Sequence, residues 1–136
     1  MPRKKYVEIE ADDGTLHTYA YHPNGDGLVE RGATVDASSR IAPGAYVDRG
    51  ARVARSVRIG EGAWIDEDAV IGDGAVIGSA AHIGRGAVVG TRAVIGPRVK
   101  VGAGAKVVAG STIESDAFVP AGRVAREGQL TRPKAA

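Results

Sequence analysis

Cysteine is absent from this chain of 136 residues. No disulfide or thiolate metal site can therefore contribute to it. Aromatic residues are scarce, with one Trp, one Phe and four Tyr, which excludes a core built around large rings. No apolar run approaches the length that spans a bilayer. The basic start Met1-Pro2-Arg3-Lys4-Lys5-Tyr6 is not followed by the apolar stretch of a signal peptide. A soluble cytoplasmic protein is the expectation, with no membrane partner. Strong charge of one sign is missing too. The formal net charge is +2, and a mixed surface of that kind gives no electrostatic footprint for nucleic acid, which is disfavoured as a partner.

What the chain does have is a period. From Val29 every sixth residue is Val or Ile, sixteen times in succession, through Ile41, Ile59, Ile77 and Ile95 to Val119. A strict six-residue repeat fixes the architecture nearly alone. If the aliphatic residue is position one, position five is small throughout, with eleven Ala, two Ser and two Val, until Arg123 breaks the pattern. Positions five and one are two residues apart, so on a strand they point the same way. Small and large inward columns then alternate, as a narrow tube requires. Glycine occupies position two seven times and position four nine times, the places flanking a tight corner where a positive φ or a close backbone approach is needed.

These residues, as in Ile59-Gly60-Glu61-Gly62-Ala63 and Ile71-Gly72-Asp73-Gly74-Ala75, resemble those of the hexapeptide-repeat superfamily of bacterial-transferase-hexapeptide type. The resemblance implies an all-β fold, a left-handed parallel β-helix of triangular section in which three hexads make one coil of eighteen residues. It covers 29–124, about five coils. Residues 1–28 read as an N-terminal hairpin and cap: Lys5 to Ala11 alternates, Asp12-Asp13-Gly14 signals a turn, and Thr15 to Tyr21 alternates again. Residues 125–136 read as a polar C-terminal tail. Pro120 and Arg123 stand where they would stop edge pairing at the far end.

With eighteen residues per coil, outward positions stack into columns. One runs Leu28, Tyr46, Trp64, His82, Lys100, Phe118 and gathers the only Trp, the only Phe and the only His of the repeat. It is a candidate ligand or interface column. The other two run Thr34, Arg52, Val70, Val88, Lys106, Val124 and Arg40, Arg58, Val76, Val94, Thr112. Outward Val70, Val76, Val88 and Val94 read as oligomer contacts, and the resemblance implies a homotrimer packed side by side. Arg40, Arg52, Arg55 and Arg58 form a candidate anion site, or else pair with Asp36 and Glu61 as a solvated surface.

The same resemblance implies acyl transfer from acyl-CoA or an acyl carrier protein, with a His as general base at a subunit interface. His82 is the candidate, and the acids nearest to it on that face are Asp48 and Asp66, one column over. Two departures weigh against catalysis: the unbroken period leaves no extruded loop, and no long C-terminal helix follows. The expectation is therefore a non-catalytic, self-associating structural or binding module without a cofactor. The alternative is a minimal acyltransferase using acyl-CoA with His82 as base. No metal site is expected: one repeat His with His17 and His22 does not give the three-His arrangement of the carbonic anhydrases that share this fold. The acidic turn Asp66-Glu67-Asp68 is at most a weak attractor for a divalent cation.

Overall fold

The computed structural model describes residues 5–126. Past Arg126 the expected C-terminal tail lies outside the described residues. The hexad period becomes a parallel β-solenoid. Each hexad contributes one short strand, from β3 (Leu28–Glu30) to β19 (Val124–Ala125), and every third strand joins the same sheet. The first face pairs Leu28, Tyr46, Trp64, His82, Lys100 and Phe118 in register. The second pairs Thr34, Arg52, Val70, Val88, Lys106 and Val124. The third pairs Arg40, Arg58, Val76, Val94 and Thr112. The columns expected from an eighteen-residue coil are therefore those observed.

Position one and position five fill the interior. Ile41, Ile65, Ile71 and Ile83 are fully buried, as are Ala45, Ala63, Ala69 and Ala87 beside them. Each buried aliphatic side chain is worth about 1.5–3 kcal/mol of transfer free energy, so many small contributions replace the large aromatic core that the composition excludes. The two glycine positions separate by cause. At position two, as at Gly78, an added Cβ would meet the backbone of Gly96 and Pro97 in the next coil. At position four, as at Gly62, φ is +70°, the left-handed corner that glycine adopts without strain.

The N-terminal hairpin extends the first face. Strand β1 (Tyr6–Glu10) pairs antiparallel with β2 (Leu16–Tyr21), and β2 pairs antiparallel with β3. The connecting loop closes on the third face, where Gly27 N–H donates to the Ile41 carbonyl and Ile41 N–H to that of Asn24. Buried His22 adds an Nε2 contact of 2.9 Å to the Ser39 carbonyl. Among the described residues no helix is long and apolar enough to cross a membrane.

Candidate functional site

On the first face, position two carries Glu30, Asp48 and Asp66 in the first three coils, where the other faces carry Asp36, Ala42, Ala54, Gly60, Gly72 and Gly78. Each carboxylate is engaged. Trp64 Nε1–H donates to Asp48 Oδ2 at 2.6 Å, and His82 Nε2 lies 3.1 Å from Asp66 Oδ2. The two contacts share one geometry: a ring in the outward column reaches back sixteen residues to the acid of the preceding coil. Held alike, the two rings stack, with centroids 4.1 Å apart and planes within 10°. Offset or parallel stacking of this kind is worth about 0.5–1.5 kcal/mol beyond burial.

The hairpin supplies the remaining donors. Tyr19, buried on β2, donates its hydroxyl to Asp48 Oδ1 at 2.7 Å and sets its ring edge-on to Tyr46 at 5.6 Å. Burial, then the bond to Asp48, raises the Tyr19 pKa far above the ordinary phenol value. Burial also raises the Asp48 carboxyl, against the opposing effect of its bonds from Tyr19 and Trp64. Glu30 is buried and takes the His17 Nδ1 contact at 2.6 Å and the Arg49 backbone N–H at 2.8 Å. Asp66 also accepts from Glu67 N–H at 2.7 Å, and Arg85 Nη2 stands 3.8 Å from Glu67.

The column predicted from sequence is thus brought together in part. Trp64 and His82 form one unit; Tyr46 turns to Tyr19; Lys100 and Phe118 continue the column in register beyond His82. No carboxylate adjoins His82 in sequence, and the structure brings one to it across the coil. Tyr19 was not legible as part of this site, although the eighteen-residue spacing of Glu30, Asp48 and Asp66 marks the acid column. Among the described residues no three His, Cys, Asp or Glu side chains gather as a metal site.

The four arginines are spread over the second face, the third face and the corner between them. Arg40 and Arg58 are adjacent on the third face and exposed, and Arg52 is exposed on the second. Arg55 sits at the corner between those faces, where its backbone N–H donates to Asp73 Oδ1 at 3.1 Å and its charge helps hold Asp36 low, after the bonds from Ser38. Of the valines, Val70, Val76 and Val94 are exposed and Val88 is half-buried. A groove of about 510 Å³ on the second face is lined by Arg52, Val70, Asp36, Asp73 and Thr91.

Comparison with known proteins follows this architecture. Residues 56–91 match the family model described as bacterial transferase hexapeptide (six repeats). No curated protein matches the sequence. Among solved structures, PerB from Caulobacter crescentus, in complex with CoA and GDP-perosamine, is 29% identical with a TM-score of 0.75 over 81% of this chain and 53% of its own. The chain thus spans about half the length of that protein. A provisionally assigned acetyltransferase from Bacillus cereus is 17% identical with a TM-score of 0.58, over 82% of this chain and 80% of its own; that likeness concerns the fold. The CoA held by PerB overturns the expectation of a cofactor-free protein. Repeat, sheets and comparisons agree on the fold: the chain carries a hexapeptide repeat, matched to the family model over 56–91, and is folded as a left-handed parallel β-helix.

Proposed function

We propose that this chain transfers an acyl group from CoA to a small acceptor bearing a hydroxyl or an amine, with His82 as general base. The observation that carries the reading is the His82–Asp66 contact at 3.1 Å, made on the one face where the outward residues are aromatic and polar. Asp66 accepts from Nε2–H and so favours the tautomer whose Nδ1 lone pair takes the acceptor's proton. Trp64 covers one ring face and keeps water from that side. Lys100, in register on the other side, supplies positive charge next to the base. The comparisons support acyl transfer better than the scaffold role expected first, because the family model is that of a transferase and PerB was solved with CoA.

The outward residues of the second face fit CoA, whose diphosphate needs cations and whose pantetheine arm needs an apolar wall. Arg52 and Lys106 bracket Val70 and Val88 in one column. Arg40 and Arg58 add positive charge around the corner. CoA would supply the acyl thioester. The proposal includes a lateral homotrimer, supported by the apolar columns of Val70, Val88, Val76 and Val94.

The test is thiol release from acetyl-CoA in the presence of a panel of small amines and hydroxyl compounds. His82→Gln should lower the rate by about 10²–10⁴-fold. Equal rates in the two proteins would remove His82 from the chemistry. Light scattering decides the assembly, and a monomer would end the trimer proposal.

A further inference from the structure

The Trp64–His82 stack poses a question that the base assignment alone leaves open: what holds the indole in place? Trp64 is exposed, at 43%. His82 covers one face of the ring. Its Nε1–H is fixed by Asp48 Oδ2 at 2.6 Å, and the other oxygen of the same carboxylate is fixed by the Tyr19 hydroxyl at 2.7 Å. Asp48 is itself 9% exposed and Tyr19 7%. A buried carboxylate with one donor on each oxygen has a single orientation, and it imposes one on the indole.

We infer that Asp48 is a positioning residue for His82: clamped by Tyr19 of the hairpin, it locks the Trp64 ring flat against the imidazole. Three features of the molecule converge on this. Asp48 stands in a position-two slot that the same face fills with glycine two and three coils on, at Gly84 and Gly102, so its side chain is an addition to the coil rather than a requirement of it. The Asp66–His82 contact repeats the Asp48–Trp64 geometry one coil further on, so the two rings are set parallel by two carboxylates eighteen residues apart. And the clamp begins in the hairpin, which makes β2 part of the site as well as an extension of the sheet. Against His82 then stand Trp64 on one side, Lys100 on the other and Asp66 at Nε2. Against Asp48 stand Tyr19, Trp64, Glu30 and Asp66.

The consequence for turnover rests on the acyl-transfer reading; the geometry does not. The experiment therefore reads both, on the full chain. A proton on an imidazole stacked against an indole is shifted upfield by the ring current, and His82 is identified among the three histidines by its loss in His82→Gln. Trp64→Leu gives the unstacked position of that resonance. Asp48→Ala is expected to move the His82 resonance to that unstacked position, and to lower kcat about tenfold to a hundredfold with KM for acetyl-CoA unchanged. Asp48→Asn should restore both, since the amide oxygen accepts from Trp64 while its N–H₂ donates to a rotated Tyr19 hydroxyl. If the resonance stays upfield in Asp48→Ala, the stack holds without the clamp and the inference is overturned. If the resonance moves and kcat does not, the positioning role is overturned; equal rates in the parent and His82→Gln would instead remove the acyl-transfer reading of His82.

Discussion

The three faces of this prism share one backbone and differ in their outward columns and in what the early coils place at position two. On the second and third faces position two is glycine in five of ten hexads, at Gly60, Gly72, Gly78, Gly90 and Gly96. There the next coil lies so close that an added Cβ would run into its backbone. On the first face the first three hexads hold Glu30, Asp48 and Asp66 before Gly84 and Gly102 take the slot, and from those carboxylates hang the hairpin, the indole and the imidazole. A repeat that demands little of its outward residues can thus concentrate polar chemistry on one side without loosening the core behind it.

The sharpest way to break this contrast is to exchange the two kinds of slot. Gly78→Ala, which drives a methyl into the Pro97 backbone, should cost about 2–3 kcal/mol in urea denaturation. Asp48→Gly gives this coil the residue of Gly84 and Gly102 further along the same face and should cost about 2 kcal/mol, because the buried Tyr19 hydroxyl loses its acceptor and Trp64 its partner. An Asp48→Gly protein as stable as the parent would mean that the carboxylate ladder does not hold the hairpin.

A smaller effect separates the faces by pH. Burial raises the Asp48 carboxyl in the folded protein, so the folded state favours its protonated form. The stability this brings is fully present below the ordinary carboxylate range and is lost as pH rises through the raised value. Half-buried Asp36 and exposed Asp116 are held low by Ser38 and Arg98 respectively. Their contribution has the opposite sign: it is present above the ordinary range and lost as pH falls, and solvent screens it. Denaturation of the parent and Asp48→Asn across that range isolates Asp48. The parent should lose stability relative to Asp48→Asn as pH rises; a gain instead would show a carboxylate stabilised as the anion. The corners, in contrast, should barely tell one face from another. Arg92 has a φ of +58°, and Arg92→Gly relieves about 1 kcal/mol of left-handed strain while adding a similar unfolded-state entropy. Thermal denaturation should place the variant within about 0.5 kcal/mol of the parent.

Sequence was sufficient for the coil because the coil is periodic. Val and Ile at every sixth residue with Ala two before them leave one way to turn the chain, and even the strand register follows from counting. The ring column was legible for the same reason, since composition made Trp64 and His82 conspicuous and the eighteen-residue step put them in contact. What counting could not supply was side-chain direction. Arg55 falls on the corner between the faces of Arg52 and Arg58, but counting could not show that its backbone N–H meets Asp73 or that its charge acts on Asp36. Tyr19 sits outside the period altogether. Its contact with Asp48 depends on how the antiparallel hairpin lies on the first parallel strand, which no hexad specifies.

The coil of three hexads also separates two lengths that are usually one. The interior repeats every six residues, but the surface repeats every eighteen. Removing one hexad, such as 67–72, leaves Val or Ile at every inward place and a full core, while turning everything beyond it by one face. His82 would then take the place of Val76 on the third face, away from Trp64 and the acid ladder. For a chain of this kind, growth and loss that preserve the fold come in steps of six, and only steps of eighteen preserve what the fold carries.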